Sequence, residues 1–315
     1  MLSDDVITAL GATGAKLTPQ ASLTRKAYWK CGGPAELLVE VKTLAQLQGV
    51  MAVVDRVTVL GRGSNALIHD AGISGVVLLL KGELAALEIA EDHAWVGAGM
   101  KLNALLNRLD QAGMAGAEPF SGVPGTMGGA VVMNAGTRLG EAKDRIESVE
   151  VVLPGGAVVT LTAEECGFSY RHSALPAGAV VSRAKIALSP DPDGARMVQR
   201  EGFLVRRKAT QPLDKPSCGS TFTNPEGDSA GRLLDACGLK GHRIGGAVIS
   251  ELHANFFLND GGASSEELRQ LIVHARRVVY QQTGVLLRPE VKLLGDWGPD
   301  PLGVDEGCAD SVQPG

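Results

Sequence analysis

What the sequence lacks narrows the reading first. It has no C-x-x-C pair: its five cysteines, Cys31, Cys166, Cys218, Cys237 and Cys308, are scattered and odd in number. That argues against a zinc site and a disulfide framework, and for thiols kept reduced in a cytosol. The six histidines show no metal-ligand spacing, since His242 and His253 stand too far apart for H-x-x-x-H. Positive charge is not in excess; the net charge of −5 argues against a nucleic-acid binder, which normally carries a basic face. No apolar run approaches the length of a membrane span. The opening MLSDDVITALGATG has acidic residues where a signal peptide needs basic ones, and no apolar core. Neither G-x-G-x-x-G nor G-x-x-x-x-G-K-[ST] occurs, so there is no Rossmann fingerprint and no Walker loop. No internal repeat is present. A soluble, cytoplasmic protein is expected.

Glycine, by contrast, is abundant, with 41 in 315 residues. The glycines gather in short clusters between apolar runs, a pattern of positions needing positive φ or close approach to a ligand. Composition is otherwise that of a globular chain, 44% hydrophobic and 21% charged. The length allows two or three domains.

Strand and helix signals alternate at first: strand 36–41, helix 43–55, strand 57–60 running into GRGSN, strand 75–81. Residues 94–99 read as a strand and 101–113 as an amphipathic helix stopped by Gly113. A hairpin is expected over 146–162 around Pro-Gly-Gly, with Thr162 and Glu165 as a capping box after it. Residues 179–188 read as a further strand. The polar connector 189–194 precedes helices at about 194–209, 229–238 and 264–283, the last starting at Ser264 with Glu267 and stopping at Gly284. GGAVIS (245–250) and NFFLN (255–259) lie between them as strand-like runs, and 285–294 reads as a returning strand. The expected organisation is 1–80 and 81–192 as two subdomains, 193–284 as a substrate domain, 285–295 as the returning strand, and 296–315 as a disordered tail.

Two segments carry the strongest chemical signal. GRGSN (Gly61, Arg62, Gly63, Ser64, Asn65) follows a predicted strand, where backbone N–H groups can converge on an anion. Taken alone it reads equally well as a plain strand-to-loop turn. SGVPGTMGGAVVMNAG (121–136) adds Gly122, Pro124, Gly125, Gly128, Gly129 and Gly136, with Ser121, Thr126 and Asn134 as polar handles. So glycine-rich a stretch makes a poor core element, and a close-fitting ligand surface would offset its cost. Two such loops suggest one extended ligand such as a dinucleotide.

These two segments, with WKCGGPAELLVEV (29–41), resemble the UDP-N-acetylenolpyruvoylglucosamine reductases, the MurB family, within the vanillyl-alcohol-oxidase-like flavoproteins. The resemblance runs from about Trp29 to Gly295. It implies an α+β fold with α/β elements: an FAD-binding fold of two subdomains plus a C-terminal α+β substrate domain. It also implies noncovalent FAD on the two loops, Ala135 included, with NADPH as co-substrate. One stretch departs from the family, TRLGE (137–141), with Thr137, Arg138 and Leu139 where a short aromatic or glycine-rich run is usual.

Three further motifs follow the same family. YRHS (170–173) makes Arg171 its active-site arginine; GSTFTNP (219–225) makes Ser220 the proton donor; PEV (289–291) makes Glu290 the catalytic carboxylate. The implied activity is NADPH-dependent reduction of UDP-N-acetylglucosamine enolpyruvate to UDP-N-acetylmuramate in peptidoglycan precursor synthesis, hence cell-wall biogenesis, cell shape and division. The chemistry suits these residue types. Negative charge develops on the substrate carboxylate, a guanidinium can grip it bidentately, and a positioned acid must deliver a proton. Arg207 and Asn224 are candidates for the diphosphate, with Lys240, Arg243 and His253 around the nucleotide end. Lys292 is expected on the same side as Glu290, two residues away on a strand. Between Arg171 and Arg207 the chain has no tyrosine and little room for an inserted loop, so it resembles the family's shorter subgroup. A monomer is expected.

Each residue alone has a plainer reading: Arg171 a surface charge, Ser220 a turn residue, Glu290 a solvated strand end. Cys218 reads as a packed thiol and His69 as a surface histidine without covalent flavin. Two other functions compete: another FAD-dependent oxidase or dehydrogenase of the same fold acting on an alcohol or sugar, and a non-catalytic flavin- or nucleotide-binding regulator. The matching C-terminal motifs oppose the first, and the presence of Arg171, Ser220 and Glu290 opposes the second.

Overall fold

Period-two apolar patterning at the N-terminal end and long helical periodicity at the C-terminal end give two kinds of packing. The computed structural model describes residues 1–299, 301 and 302. These form two compact units, one from Met1–Ala21, Ala35–Arg62 and Ser74–Ala209, the other from Ser22–Pro34, Gly63–Ile73 and the chain from Thr210 onward. Helices and strands are mixed in an α+β arrangement.

The first unit holds two sheets. One orders its strands Lys16–Ser22, Pro34–Val41, Ile73–Leu80, Val57–Val59. Ile73–Leu80 pairs in parallel with Val57–Val59, and its near-continuous apolar run suits a strand covered on both faces. Helices Asp4–Ala12 and Leu44–Val53 contribute Leu10, Leu47 and Val50 to a core with Leu37, Val39 and Leu78. The first helix is absent from the sequence expectation. Ser3 caps it by accepting from the Val6 N–H, and Asp4 and Asp5 stand in its first turn. These acidic residues serve the helix N-terminus.

The second sheet is antiparallel throughout, ordered Val158–Thr162, Ile146–Val152, Val180–Ala187, His93–Gly97, Leu87–Ile89. The expected hairpin and capping box are both present, with Thr162 and Glu165 bonding reciprocally at 2.8 and 3.2 Å. Helix Leu102–Gln111 packs its leucines onto Val96, Phe120, Val149 and Ile186, and Gly113 follows at φ +66°. Helix Ala195–Thr210 has no fully buried residue; Arg200 ties it to Asp110.

The second unit centres on helix Ser265–Thr283 over a three-stranded meander, Arg243–Ile244, Ala247–Ile249, Phe257–Asn259. Trp29, Phe222, Leu234, Ile249, Phe257 and Leu271 form its core. The expected start and stop of this helix hold: a Ser264–Glu267 capping box and Gly284 at φ +73°. Asp70 adds a second cap, accepting from the Ser265 and Glu266 N–H groups at 2.9 and 3.0 Å. Segment 29–33 is sewn in by the Trp29 indole donating to Phe257 O and by Asn259 donating to Trp29 O, both at 2.7 Å.

The returning strand is shorter than the expected 285–294. Only Lys292–Leu294 is strand, paired in parallel with Ala66–Ile68. Pro289 offers no N–H, and the backbone bends at Val291. That bend also removes the alternation argument placing Lys292 on the side of Glu290. Of the expected tail, 303–315 lie outside the described residues. Before them, Trp297 stacks edge-on with His69 at 4.6 Å, and Arg269 and Arg276 donate to Pro301 O and Leu302 O at 2.7 and 2.6 Å. Among the described residues no helix is long and apolar enough to cross a membrane.

Candidate active site

Several glycines of the two loops answer to the chain's own close packing. A Cβ on Gly61 would stand 2.7 Å from Thr126 Oγ1, one on Gly63 2.6 Å from Lys26 O, and one on Gly128 3.0 Å from Ala98 Cβ. Gly122, at φ +69°, lies under the Arg207 guanidinium, whose Nη1 donates to its carbonyl at 2.7 Å. Glycine is thus needed here before any ligand is considered. The loops still offer unspent polar groups. Ser121 is wholly buried, and its Oγ has no hydrogen-bond partner among the described residues. Thr126 precedes helix Met127–Val132 without capping it through its side chain. An orphaned hydroxyl beside exposed glycine backbone suits a phosphate-bearing cofactor, so these residues fit FAD. Gly61 and Arg62 belong to the first unit, and Gly63, Ser64 and Asn65 to the second.

Arg171 is carried by the first unit at the tip of a two-residue turn closed by reciprocal Ser169–His172 backbone bonds at 3.0 and 3.2 Å. Its φ is +57°, a left-handed conformation costly for a residue with a Cβ. Ser173, also of the Y-R-H-S motif, donates its hydroxyl to Val132 O at 3.0 Å and so ties the turn to the end of the second glycine segment. The Arg171 side chain meets Gly136 O, the Glu141 carboxylate and the face of Tyr170. Asn134 organises this corner. Wholly buried, it donates to Glu141 Oε2 and Ser169 O at 3.1 and 2.9 Å and accepts from the Lys143 N–H at 3.0 Å. Its amide is committed to the loop itself.

The segments bearing Ser220 and Glu290 run side by side in the second unit. Phe222 pairs with Pro289, the Glu290 N–H donates to Thr221 O at 2.8 Å, and the Thr223 N–H donates to Arg288 O at 2.9 Å. On its other side the serine segment runs along 255–256: Ser220 bridges Phe256, and the Thr221 N–H donates to Asn255 O. Asn255 clamps Phe222 from both ends, accepting its N–H at 2.9 Å and donating to its carbonyl at 2.8 Å. Asn65 does the same for the carboxylate segment, its Nδ2 donating to Glu290 O at 3.0 Å and its carbonyl accepting from the Lys292 N–H at 3.0 Å. Ser220 and Glu290 are both half-buried.

The remaining candidates are dispersed. Arg207 belongs to the first unit, and burial lowers its pKa. Asn224 accepts from the Ala230 N–H at 3.1 Å, and Lys240 pairs with Asp235 at 2.7 Å. Arg243 and Lys215 both reach Asp260. His253 packs edge-on against Phe256 at 4.9 Å, and burial lowers its pKa. Lys292 is exposed. Cys218 is the packed thiol expected, with burial pushing its pKa up to about 12. His69 is half-buried, accepting from the Ala71 N–H at 3.0 Å. No metal-binding cluster of His, Cys, Asp or Glu occurs among the described residues.

Glu141 and Asn255 have no counterpart in the sequence expectation. Glu141 closes the TRLGE stretch (137–141), and Asn255 reads simply as a strand residue. No spacing reveals that each reaches back to a motif far away in sequence.

Comparison with known proteins matches an N-terminal and a C-terminal stretch of the chain to two families. Residues 211–294 match the family described as UDP-N-acetylenolpyruvoylglucosamine reductase, C-terminal domain. Residues 35–162 match the FAD binding domain. The UDP-N-acetylenolpyruvoylglucosamine reductase of Anaeromyxobacter dehalogenans is 43% identical over 300 residues, covering 94% of this chain and 91% of that one. That of Myxococcus xanthus is 42% identical over 281 residues, covering 85% and 89%. The crystal structure of the reductase from Thermus caldophilus superposes with a TM-score of 0.79 at 38% identity, over 89% of this chain and 98% of that one. With both domains matched and identity above 40% along most of its length, the chain belongs to the UDP-N-acetylenolpyruvoylglucosamine reductase family.

Proposed function

We propose that this chain reduces UDP-N-acetylglucosamine enolpyruvate to UDP-N-acetylmuramate, taking reducing equivalents from NADPH through noncovalent FAD. The observation that carries the proposal is the lacing of the Ser220 segment to the Glu290 segment through Thr221, Phe222 and Pro289. That lacing sets the backbone segments bearing Ser220 and Glu290 side by side in one unit although they are distant in sequence. The competing oxidase of alcohols or sugars is less supported, because 211–294 match the reductase C-terminal domain.

When bound, FAD supplies hydride transfer between the nicotinamide and the enolpyruvyl methylene carbon. Gly61 to Asn65 and Ser121 to Gly136 hold it, with the Ser121 hydroxyl as a donor. Arg171 grips the substrate carboxylate and stabilises the charge that builds there. Ser220 delivers the proton to the carbon bearing that carboxylate, and Glu290 steadies or relays it. Arg207, Asn224, Lys240, His253 and Lys292 serve the UDP moiety. Subdomains 1–80 and 81–192 carry the cofactor, 193–284 the substrate, and 285–295 returns Glu290. The enzyme works as a cytoplasmic monomer in peptidoglycan precursor synthesis, supporting cell-wall biogenesis, cell shape and division.

The test is anaerobic. The purified protein shows a flavin spectrum, NADPH bleaches it, and UDP-N-acetylglucosamine enolpyruvate rapidly restores it with formation of UDP-N-acetylmuramate. A yellow protein that the enolpyruvyl sugar cannot reoxidise moves the function to another flavoenzyme. A colourless protein that takes up no FAD sinks the cofactor reading as well.

A further inference from the structure

We propose that Glu141 is the positioning residue for Arg171, setting the direction of the guanidinium from the hairpin that pairs Gly136–Thr137 with Gly140–Glu141. The inference rests on the reading of Arg171 as the cation that meets the substrate carboxylate. Arg171 Nη1 lies 3.6 Å from Glu141 Oε1, its Nη2 donates to Gly136 O at 3.4 Å, and its plane lies 4.9 Å over the Tyr170 ring. Two of these three contacts come from one hairpin, since Gly136–Thr137 pairs with Gly140–Glu141 and Glu141 stands opposite Gly136. The carboxylate is itself fixed. Asn134 donates to its Oε2 at 3.1 Å, and Lys143 Nζ lies 3.2 Å from the same oxygen.

The guanidinium has an acidic partner to align against, and Lys143 shares that carboxylate from its other oxygen, while Asp144 accepts from the Glu141 N–H at 2.7 Å and fixes the backbone that carries it. The left-handed backbone at Arg171 fixes where the side chain starts, and Glu141 fixes where it ends. The pair is half-buried at a separation of 3.6 Å, and an ion pair still open to solvent contributes little to folding stability. Its loss therefore appears in alignment rather than in unfolding.

The experiment uses the FAD-loaded enzyme and follows the two half-reactions separately by anaerobic stopped flow. Glu141→Ala is expected to slow reoxidation by the enolpyruvyl sugar about ten- to a hundredfold, leaving NADPH bleaching, FAD content and the thermal midpoint unchanged. Arg171→Ala and the double variant are expected to reoxidise at the same rate, since Glu141 acts only through Arg171. Should Glu141→Ala not retain FAD, Glu141→Gln carries the same test with the shape preserved. Losses that multiply in the double variant, equal slowing of both half-reactions, or wild-type reoxidation in Glu141→Ala would each overturn the proposal. If Arg171→Ala itself reoxidises normally, the reading of Arg171 fails instead.

Discussion

The roles proposed for Ser121, in holding the cofactor, and for Ser220, in delivering the proton, can be tested separately at single hydroxyls. Ser121 buries an oxygen with no partner among the described residues, which costs stability unless a ligand satisfies it. Ser121→Ala is therefore expected to leave the FAD-free protein as stable as before or slightly more so. It should weaken FAD binding several-fold, read by flavin fluorescence titration beside urea unfolding of the FAD-free protein. Weakened unfolding stability with unchanged FAD affinity would make the hydroxyl structural. Ser220→Ala is expected to cut substrate-dependent reoxidation by about 10²- to 10⁴-fold, the usual worth of a positioned proton donor, while NADPH bleaching stays normal. Both serines are legible in sequence through their motifs. The unpartnered burial of Ser121 and the segments flanking Ser220 are not, because they depend on which distant segments pass by.

Among the elements, short ladders matter more than long ones. The serine segment has no strand of its own; it is held between 255–256 and 288–290 by single bridges and by the Asn255 clamp. Asn255→Ala would leave the Phe222 N–H and carbonyl buried without their partner. Chemical unfolding should then show a loss of about 2–6 kcal/mol, from about 1–3 kcal/mol for each of the two groups left unpaired, and the Ser220 segment should lose alignment. An unchanged unfolding midpoint would refute the clamp. Long amphipathic elements were legible because their periodicity is local: helix Ser265–Thr283 begins and ends where its caps stand. The returning strand was not, because Pro289 and the bend at Val291 confine its ladder to Lys292–Leu294.

Across the whole molecule, the titrating groups predict a window of maximal stability. Burial lowers the pKa of His253 and His274 from 6.5. Each contributes stability that is complete above 6.5 and lost as pH falls through its lowered value. Hydrogen bonds from Arg232 hold Asp228 down to about 2, and those from Lys215 and Arg243 lower Asp260, so a further loss follows below about pH 4. Burial raises Cys218 from 9.0 to about 12 and Cys166 to about 11. Their contribution is complete below 9.0 and lost as pH rises through those values. The urea midpoint is thus expected to peak between about pH 7 and 9 and to fall on both sides. A midpoint still rising above pH 10 would contradict burial of these thiols.

The sequence by itself determined what rests on local chemistry: helix caps, strand periodicity, the two glycine segments, and the order of the Y-R-H-S, G-S-T-F-T-N-P and P-E-V motifs. These signals lie within a few residues of one another, so they survive without a fold. The tertiary structure alone decided which residues hold those motifs in place. Asn134 ties Glu141 to the turn before Arg171, Asn255 clamps Phe222, and Asn65 secures Glu290. It also showed that at Gly63 the backbone of Lys26 passes too close for a Cβ, and that at Gly61 a Cβ would crowd the Thr126 hydroxyl. Such contacts join segments far apart along the chain, and their geometry exists only once packing has brought the segments together.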